Sequence, residues 1–235
     1  MKNFKQTLLK NMDYAIFSLV LIFILVNALV MHEYLVAVID AICGISYVFL
    51  IGKGKPIAYI IGLIGSGCYC LLSLQQALWG NLLLYALYYI PMQVIGFIQW
   101  NKNLKEGKKE VVKIKLPKKE LINICIISFV LIFLTALGLE FFKDKHPILD
   151  SITTILSIAG MYMTVRRALE QWIFWIFVNA ISLIMWLHVA LSGAKVISIV
   201  IMWGVYLFLA FYFYFAWNKE IKETEDKKEA EQLGG

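Results

Sequence analysis

Trp172, Trp175, Asn179, Ser182 and Trp186 recur at i, i+3, i+7, i+10 and i+14 within an otherwise apolar segment. On a helix that spacing predicts one continuous stripe. The chemistry of such a stripe is binding rather than bond-making. Indole faces stack on a flat ring, and a cationic ring is attracted further, by about 0.5–2 kcal/mol per contact. The Asn amide adds hydrogen-bond donors and an acceptor. An aromatic belt at a membrane interface is the competing reading, because Trp172 opens the segment. It accounts for Trp172 alone, and not for Asn179 two turns deeper on the same face.

A second group is Tyr85, Tyr88, Tyr89, Gln93, Gln99 and Trp100. Tyr85, Tyr89 and Gln93 are four apart and share a helical face, with Tyr88 beside it. Gln93 follows Pro91 by two residues. The proline lacks an N–H and frees a carbonyl one turn earlier. Within a membrane, freed backbone is tolerated where it lines a cavity. A buried amide is costly without a partner, so Gln93 is expected to meet a protein group or a ligand. Gln99 and Trp100 read as residues at the membrane edge. Asp40 and Asp150 form a third set. Paired acids in a membrane protein can serve a proton or cation; they can equally cap helices or bond within their own segment, and the structural reading is preferred.

No other chemistry is legible. There is no nucleophile–base pair, no HExxH and no glycine-rich phosphate loop, so neither an enzyme nor ATP-driven pumping is expected. Cys43, Cys68, Cys70 and Cys125 all fall in apolar segments, with no His or carboxylate at ligand spacing. They read as packed small residues, and neither a metal nor a cofactor is expected.

The elements that must carry these side chains are apolar helices. The 235 residues are 61% hydrophobic and 16% charged, with a mean hydropathy of +0.76. That composition reads as an all-α integral membrane protein. Eight apolar stretches are expected to span the bilayer: 14–31, 34–51, 56–74, 81–100, 121–139, 147–165, 171–191 and 196–217. Each is about 20 residues, the length that crosses a hydrocarbon core as a helix. The first is followed by Met31-His32-Glu33-Tyr34 rather than a small-residue cleavage site, and reads as a retained helix. With the N-terminus inside, nineteen of the 22 basic residues fall on the cytoplasmic side, and only Lys143, Lys145 and Lys195 on the other. This bias predicts cytoplasmic termini. It also explains the net charge of +6, through attraction to anionic lipid headgroups. The run Lys102–Lys119 lacks interleaved aromatics, and nucleic-acid binding is not expected.

The chain also repeats. Residues 36–102 run from Asp40 to Trp100-Asn101-Lys102, and residues 146–219 from Asp150 to Trp217-Asn218-Lys219. Each unit holds three apolar stretches. Parallel repeats of this kind are a transporter signature, with the substrate between them near the bilayer midplane. The expected organisation is an N-terminal segment with one extra helix (1–33), a first repeat (34–102), a loop and linker helix (103–145), a second repeat (146–219) and a charged tail (220–235). The linker restores the parallel orientation of the second repeat. The tail is expected to fray beyond its first turn or two. Gly62, Gly65 and Gly67 permit close helix packing, with a hinge as the minority reading.

Leu149-Asp150-Ser151, Met163-Thr164 and the WxxW pair Trp172 and Trp175 with Asn179 resemble the PnuC family of vitamin B3 transporters. Tyr88-Tyr89-Ile90-Pro91-Met92-Gln93, ending in Trp100, is similar to its Gram-positive branch. The resemblance covers roughly residues 34–219 and implies a SWEET-like, three-one-three fold. It further implies facilitated diffusion of nicotinamide riboside, trapped by a cytoplasmic kinase. Trp172, Trp175 and Asn179 would then contact the ligand. Related branches carry thiamine, riboflavin or deoxynucleosides, so another vitamin or nucleoside is the alternative cargo; a membrane sensor or enzyme is a remote one. A homo-oligomer is compatible with either cargo.

Overall fold

The computed structural model describes residues 14–15, 17–26, 30, 35–75, 79–107, 109–143, 146–192 and 197–233. The elements are α1 (Phe17–Val26), α2 (Leu35–Gly52), α3 (Ile57–Gln75), α4 (Trp79–Leu84), a π-helical turn (Tyr85–Tyr89), α5 (Ile90–Asn101), α6 (Lys118–Phe141), α7 (Pro147–Val165), α8 (Gln171–Leu191) and α9 (Ile197–Leu233). Pro147 at the start of α7 and Asp150 in its first turn suit a helix N-terminus, where N–H groups lack partners and the dipole favours an acid.

Neighbouring helices close a ring. α2 packs on α3, α3 on α5, α5 on α7, α7 on α8, α8 on α9, and α9 back on α2. α6 packs on α7 outside this ring and exposes most of its apolar side chains, including Phe129 and Phe133. Such a surface is stable only against lipid. α1 lies against α2, where Phe17 stacks on Phe49 with ring centroids 4.3 Å apart.

The expected eight spans in a one-plus-three-one-three arrangement are not what the structure carries. Among the described residues, six helices are long and apolar enough to cross a membrane: Ile57–Gln75, Leu82–Asn101, Lys118–Phe141, Pro147–Val165, Gln171–His188 and Val200–Lys227. Phe17–Val26 and Val38–Gly52 are shorter apolar helices. At 1.5 Å per residue the apolar part of α2, Val38–Gly52, rises about 22 Å of the roughly 27 Å of that helix, against a hydrocarbon core of roughly 30 Å. An apolar stretch in the sequence sets an upper bound on a span, while the regular helix sets its length. The fold is an all-α, multi-pass membrane bundle with six membrane-length helices among the described residues. Met31–Tyr34, which argued for a retained first helix, lie outside the described residues, as do Lys2, Lys5, Lys10, Lys108, Lys145 and Lys195 of the charge argument.

The tail does not fray as expected. α9 continues as one helix to Leu233. Its final turns are rich in Lys and Glu, both good helix formers, and Glu220 is held by Lys105 and Lys113 from the loop after α5.

That loop is a strap across one end of the bundle. The Val111 N–H donates to the Gly54 carbonyl in the α2–α3 turn (2.9 Å). The Ile114 N–H donates to the Arg167 carbonyl in the α7–α8 turn (3.0 Å), and the Leu169 N–H returns to the Ile114 carbonyl (2.8 Å). Val111 is fully buried, and the Lys113 ammonium lies over the Trp217 ring. Burial pulls Lys113 below the usual lysine range, against the opposing pull of Glu220. Lys113 is therefore a buried tie, and not free to meet lipid headgroups. The repeated Trp-Asn-Lys has a matching duty. Trp100 donates its indole N–H to the Thr164 carbonyl on α7 (3.0 Å), and Trp217 donates to the Gly52 carbonyl on α2 (2.7 Å). Both indoles are fully buried. Each tryptophan thus ties its own sequence unit to the first ring helix of the other.

Candidate functional site

The ring encloses a cavity of about 290 Å³ lined by α2, α3, the π turn, α5, α7, α8 and α9. Of the residues expected from sequence, Trp172, Trp175, Asn179, Tyr85, Tyr89, Gln93 and Asp40 line it. Tyr88, Asp150, Ser182, Trp186 and Gln99 do not.

α8 is a regular helix, so the stripe keeps its phase and Trp172, Trp175 and Asn179 reach the same space. Their environments differ. The Trp175 indole N–H donates to Thr164 Oγ1 (3.2 Å), and the Thr164 hydroxyl donates to the Gly160 carbonyl (2.8 Å). Gly160 lies against the ring; a Cβ there would come within 3.1 Å of Trp175 Cε2. One edge and one face of Trp175 are thereby fixed while the indole still lines the cavity. Trp172 is deeper, at 1% exposure, and packs on Phe213 and Trp217 with centroids 5.4 and 5.6 Å apart. It is half core and half site. Its indole N–H has no hydrogen-bond partner among the described residues.

Pro91 follows the π turn directly, as the second residue of α5. The Ile90 N–H bonds to the Tyr85 carbonyl five residues back. The wider turn accommodates the missing proline N–H without breaking the helix. It also alters the facing of the tyrosines. Tyr85 stacks on Tyr69 (4.2 Å) and lies 4.7 Å from Tyr89, forming an aromatic wall. Tyr88 turns away and donates to the Ile158 carbonyl (2.6 Å), which removes it from the cavity lining. Gln93 is 4% exposed. Its amide lies over Gly62, where any Cβ would overlap it, so the glycine makes room for the amide. Gln93 Oε1 is buried with no hydrogen-bond partner among the described residues. The cavity therefore holds an open acceptor and an open donor, contributed by α5 and α8.

Asp40 and Asp150 do not share an environment. Asp40 lies twelve residues before Gly52, and Asp150 lies fourteen before Thr164, counting from the two carbonyls that accept from tryptophans. Two residues on a helix are about 200°. Asp40 faces the cavity, whereas Asp150 sits in the first turn of α7.

The cavity also uses residues the stripe arguments missed, among them Tyr47, Tyr69, Ser157, Met161, Thr164 and Tyr206. The repeat holds a signal for one of them. Tyr206 stands eleven residues before Trp217, as Tyr89 stands eleven before Trp100.

The model of the Nicotinamide mononucleotide transporter family matches residues 34–219, most of the chain and nearly all of the ring. The chain belongs to this family. The Nicotinamide riboside transporter PnuC of Neisseria mucosa is 31% identical over 191 residues, covering 79% of this chain and 73% of that protein. The protein of the same name from Haemophilus influenzae is 30% identical over 190 residues, covering 80% and 81%. A solved structure described as the crystal structure of the Vitamin B3 transporter PnuC superposes with a TM-score of 0.77 at 28% identity, covering 90% of this chain and 92% of that one. As a member of the nicotinamide mononucleotide transporter family, this chain is a membrane transporter of the PnuC type and not an enzyme. Its site needs only to bind a small molecule and release it across the bilayer.

Proposed function

We propose that this protein carries nicotinamide riboside by facilitated diffusion, with Trp175, Asn179, Gln93, Tyr89 and Tyr85 contacting the cargo and Trp172 flooring the site. The carrying observation is the open acceptor of Gln93 in a cavity that also holds Trp175 and Asn179. A flat cationic ring suits an indole face. Its carboxamide and ribose hydroxyls suit the Asn179 amide and the Gln93 acceptor, which has no partner among the described residues. The names of the PnuC relatives from Neisseria mucosa and Haemophilus influenzae point to the same cargo.

In this reading the protein sits in the cytoplasmic membrane, with the strap and both termini inside, since Lys and Arg concentrate at that end. Residues 34–102 and 146–219 act as two bodies that alternate access around the cavity. A cytoplasmic kinase traps the cargo, so net flux runs inward without ion coupling. One chain lines the whole cavity, and a homo-oligomer of such chains is compatible with this reading. Titration of purified protein with nicotinamide riboside, thiamine, riboflavin and thymidine, read by tryptophan fluorescence, tests the cargo. Nicotinamide riboside should bind tightest; tighter thiamine or thymidine binding would replace it as cargo.

A further inference from the structure

Among the described residues, Asp40 is the one carboxylate lining the cavity, and no Lys, Arg or His lines it. Nor does any described salt bridge involve Asp40. The groups that face it are Cys43 on its own helix, Cys68 and Tyr69 on α3, Tyr85 on the π turn and Tyr206 on α9. None carries positive charge at neutral pH. Gly65 on α3 lies beside it, where a Cβ would stand 3.7 Å from Asp40 Oδ1, in ordinary contact. An acid inside a membrane protein is costly unless it finds a countercharge, and such acids face cavities or pathways.

We propose that Asp40 is a specificity-determining residue: it sets the charge of the cargo, admitting a flat monocation and rejecting its uncharged or phosphorylated counterparts. This rests on the nicotinamide riboside reading and deepens it. The riboside carries one positive charge on its ring, and that charge supplies the partner that Asp40 lacks. A mononucleotide adds a phosphate, whose negative charge Asp40 repels in a cavity without a cation to offset it. The Coulomb attraction of one close pair in partly desolvated surroundings exceeds tenfold in binding. Asp150 cannot share this duty, because it faces elsewhere.

The experiment compares nicotinamide riboside with its 1,4-dihydro form, which keeps the ribose and the carboxamide but loses the charge. Both are titrated calorimetrically into the purified full-length protein. The parent should prefer the cation by about tenfold or more. Asp40→Asn should lose about that factor for the cation while leaving the dihydro form unchanged. Asp40→Glu, which keeps the charge, should keep the preference, and nicotinamide mononucleotide should compete poorly with the riboside in the parent. Equal weakening of both forms in Asp40→Asn would make Asp40 structural and overturn the proposal while leaving the cargo reading intact. If Asp40→Asn does not fold, the parent decides: equal affinity for the charged and uncharged forms overturns it. A parent that binds neither form removes the cargo reading, and this inference with it.

Discussion

At the residue scale, the two tryptophans of one stripe have separable roles. Trp175 lines the cavity with its edge and one face already fixed. Trp175→Ala should therefore weaken nicotinamide riboside binding by about 1–3 kcal/mol, and Trp175→Phe should recover part of that. Calorimetry checks both; unchanged affinity in Trp175→Ala would make the indole packing. Trp172 is enclosed by Phe213 and Trp217. Trp172→Ala should cost about 3–5 kcal/mol of stability, seen as a lowered melting temperature in detergent. Gln93 separates binding from folding more sharply. Its acceptor is unpaired among the described residues, so Gln93→Leu should leave the unliganded protein about as stable. Ligand affinity should fall by about 1–3 kcal/mol, because the cargo loses its partner on leaving water. A variant that unfolds without ligand would show that Gln93 holds the ring together instead.

At the scale of elements, the strap and the paired tryptophans are one mechanical unit. Trp100 and Trp217 each cross from one sequence unit to the other, and the strap bonds to a turn in each. Removing the Trp217 indole N–H takes from the Gly52 carbonyl its donor, at a cost of about 1–3 kcal/mol, whereas the Thr164 carbonyl keeps the Arg167 N–H (2.9 Å) when the Trp100 donor is lost. Trp100→Phe and Trp217→Phe should each raise amide hydrogen exchange at Val111 and Ile114, with the double variant raising it further. Exchange that stays at the parent's level in both single variants would mean the strap is held by Lys105, Lys113 and Glu220 alone. The π turn is the other decisive element. Four-residue spacing placed Tyr85, Tyr89 and Gln93 together, and the structure agrees; the same reasoning left Tyr88 beside them, where the altered turn instead points it at Ile158.

At the scale of the whole molecule, facilitated diffusion as proposed needs no energy source in the ring itself. Its site offers stacking faces, amides and one acid, and the chain carries no phosphate-binding loop. With the membrane potential clamped at zero, nicotinamide riboside taken up by proteoliposomes should reach the outside concentration and stop, whatever the proton or sodium gradient. Accumulation above that level should require an enclosed kinase with ATP; accumulation without one would indicate ion coupling. A cysteine placed at Lys109 should resist labelling from outside intact cells, and strong labelling would put the strap on the outer face.

The sequence by itself determined the membrane class, the helical stripe of α8, the repeat ending in Trp-Asn-Lys and the family. Each is encoded locally, in hydropathy, in helical period or in a short motif, and needs no partner segment to be read. Tertiary structure decided the rest. Of the eight expected spans, six are apolar helices of membrane length among the described residues. The lysine-rich segment read as a solvated loop, because nothing local announces that Val111 will be buried under Gly54 or that Lys113 will lie on Trp217. The two acids looked equivalent because they open the two units alike, yet a two-residue difference in helical phase turned Asp40 inward and left Asp150 at its helix start. Which face a helix turns to the cavity is set by its neighbours in the ring, and those neighbours are far apart in the chain.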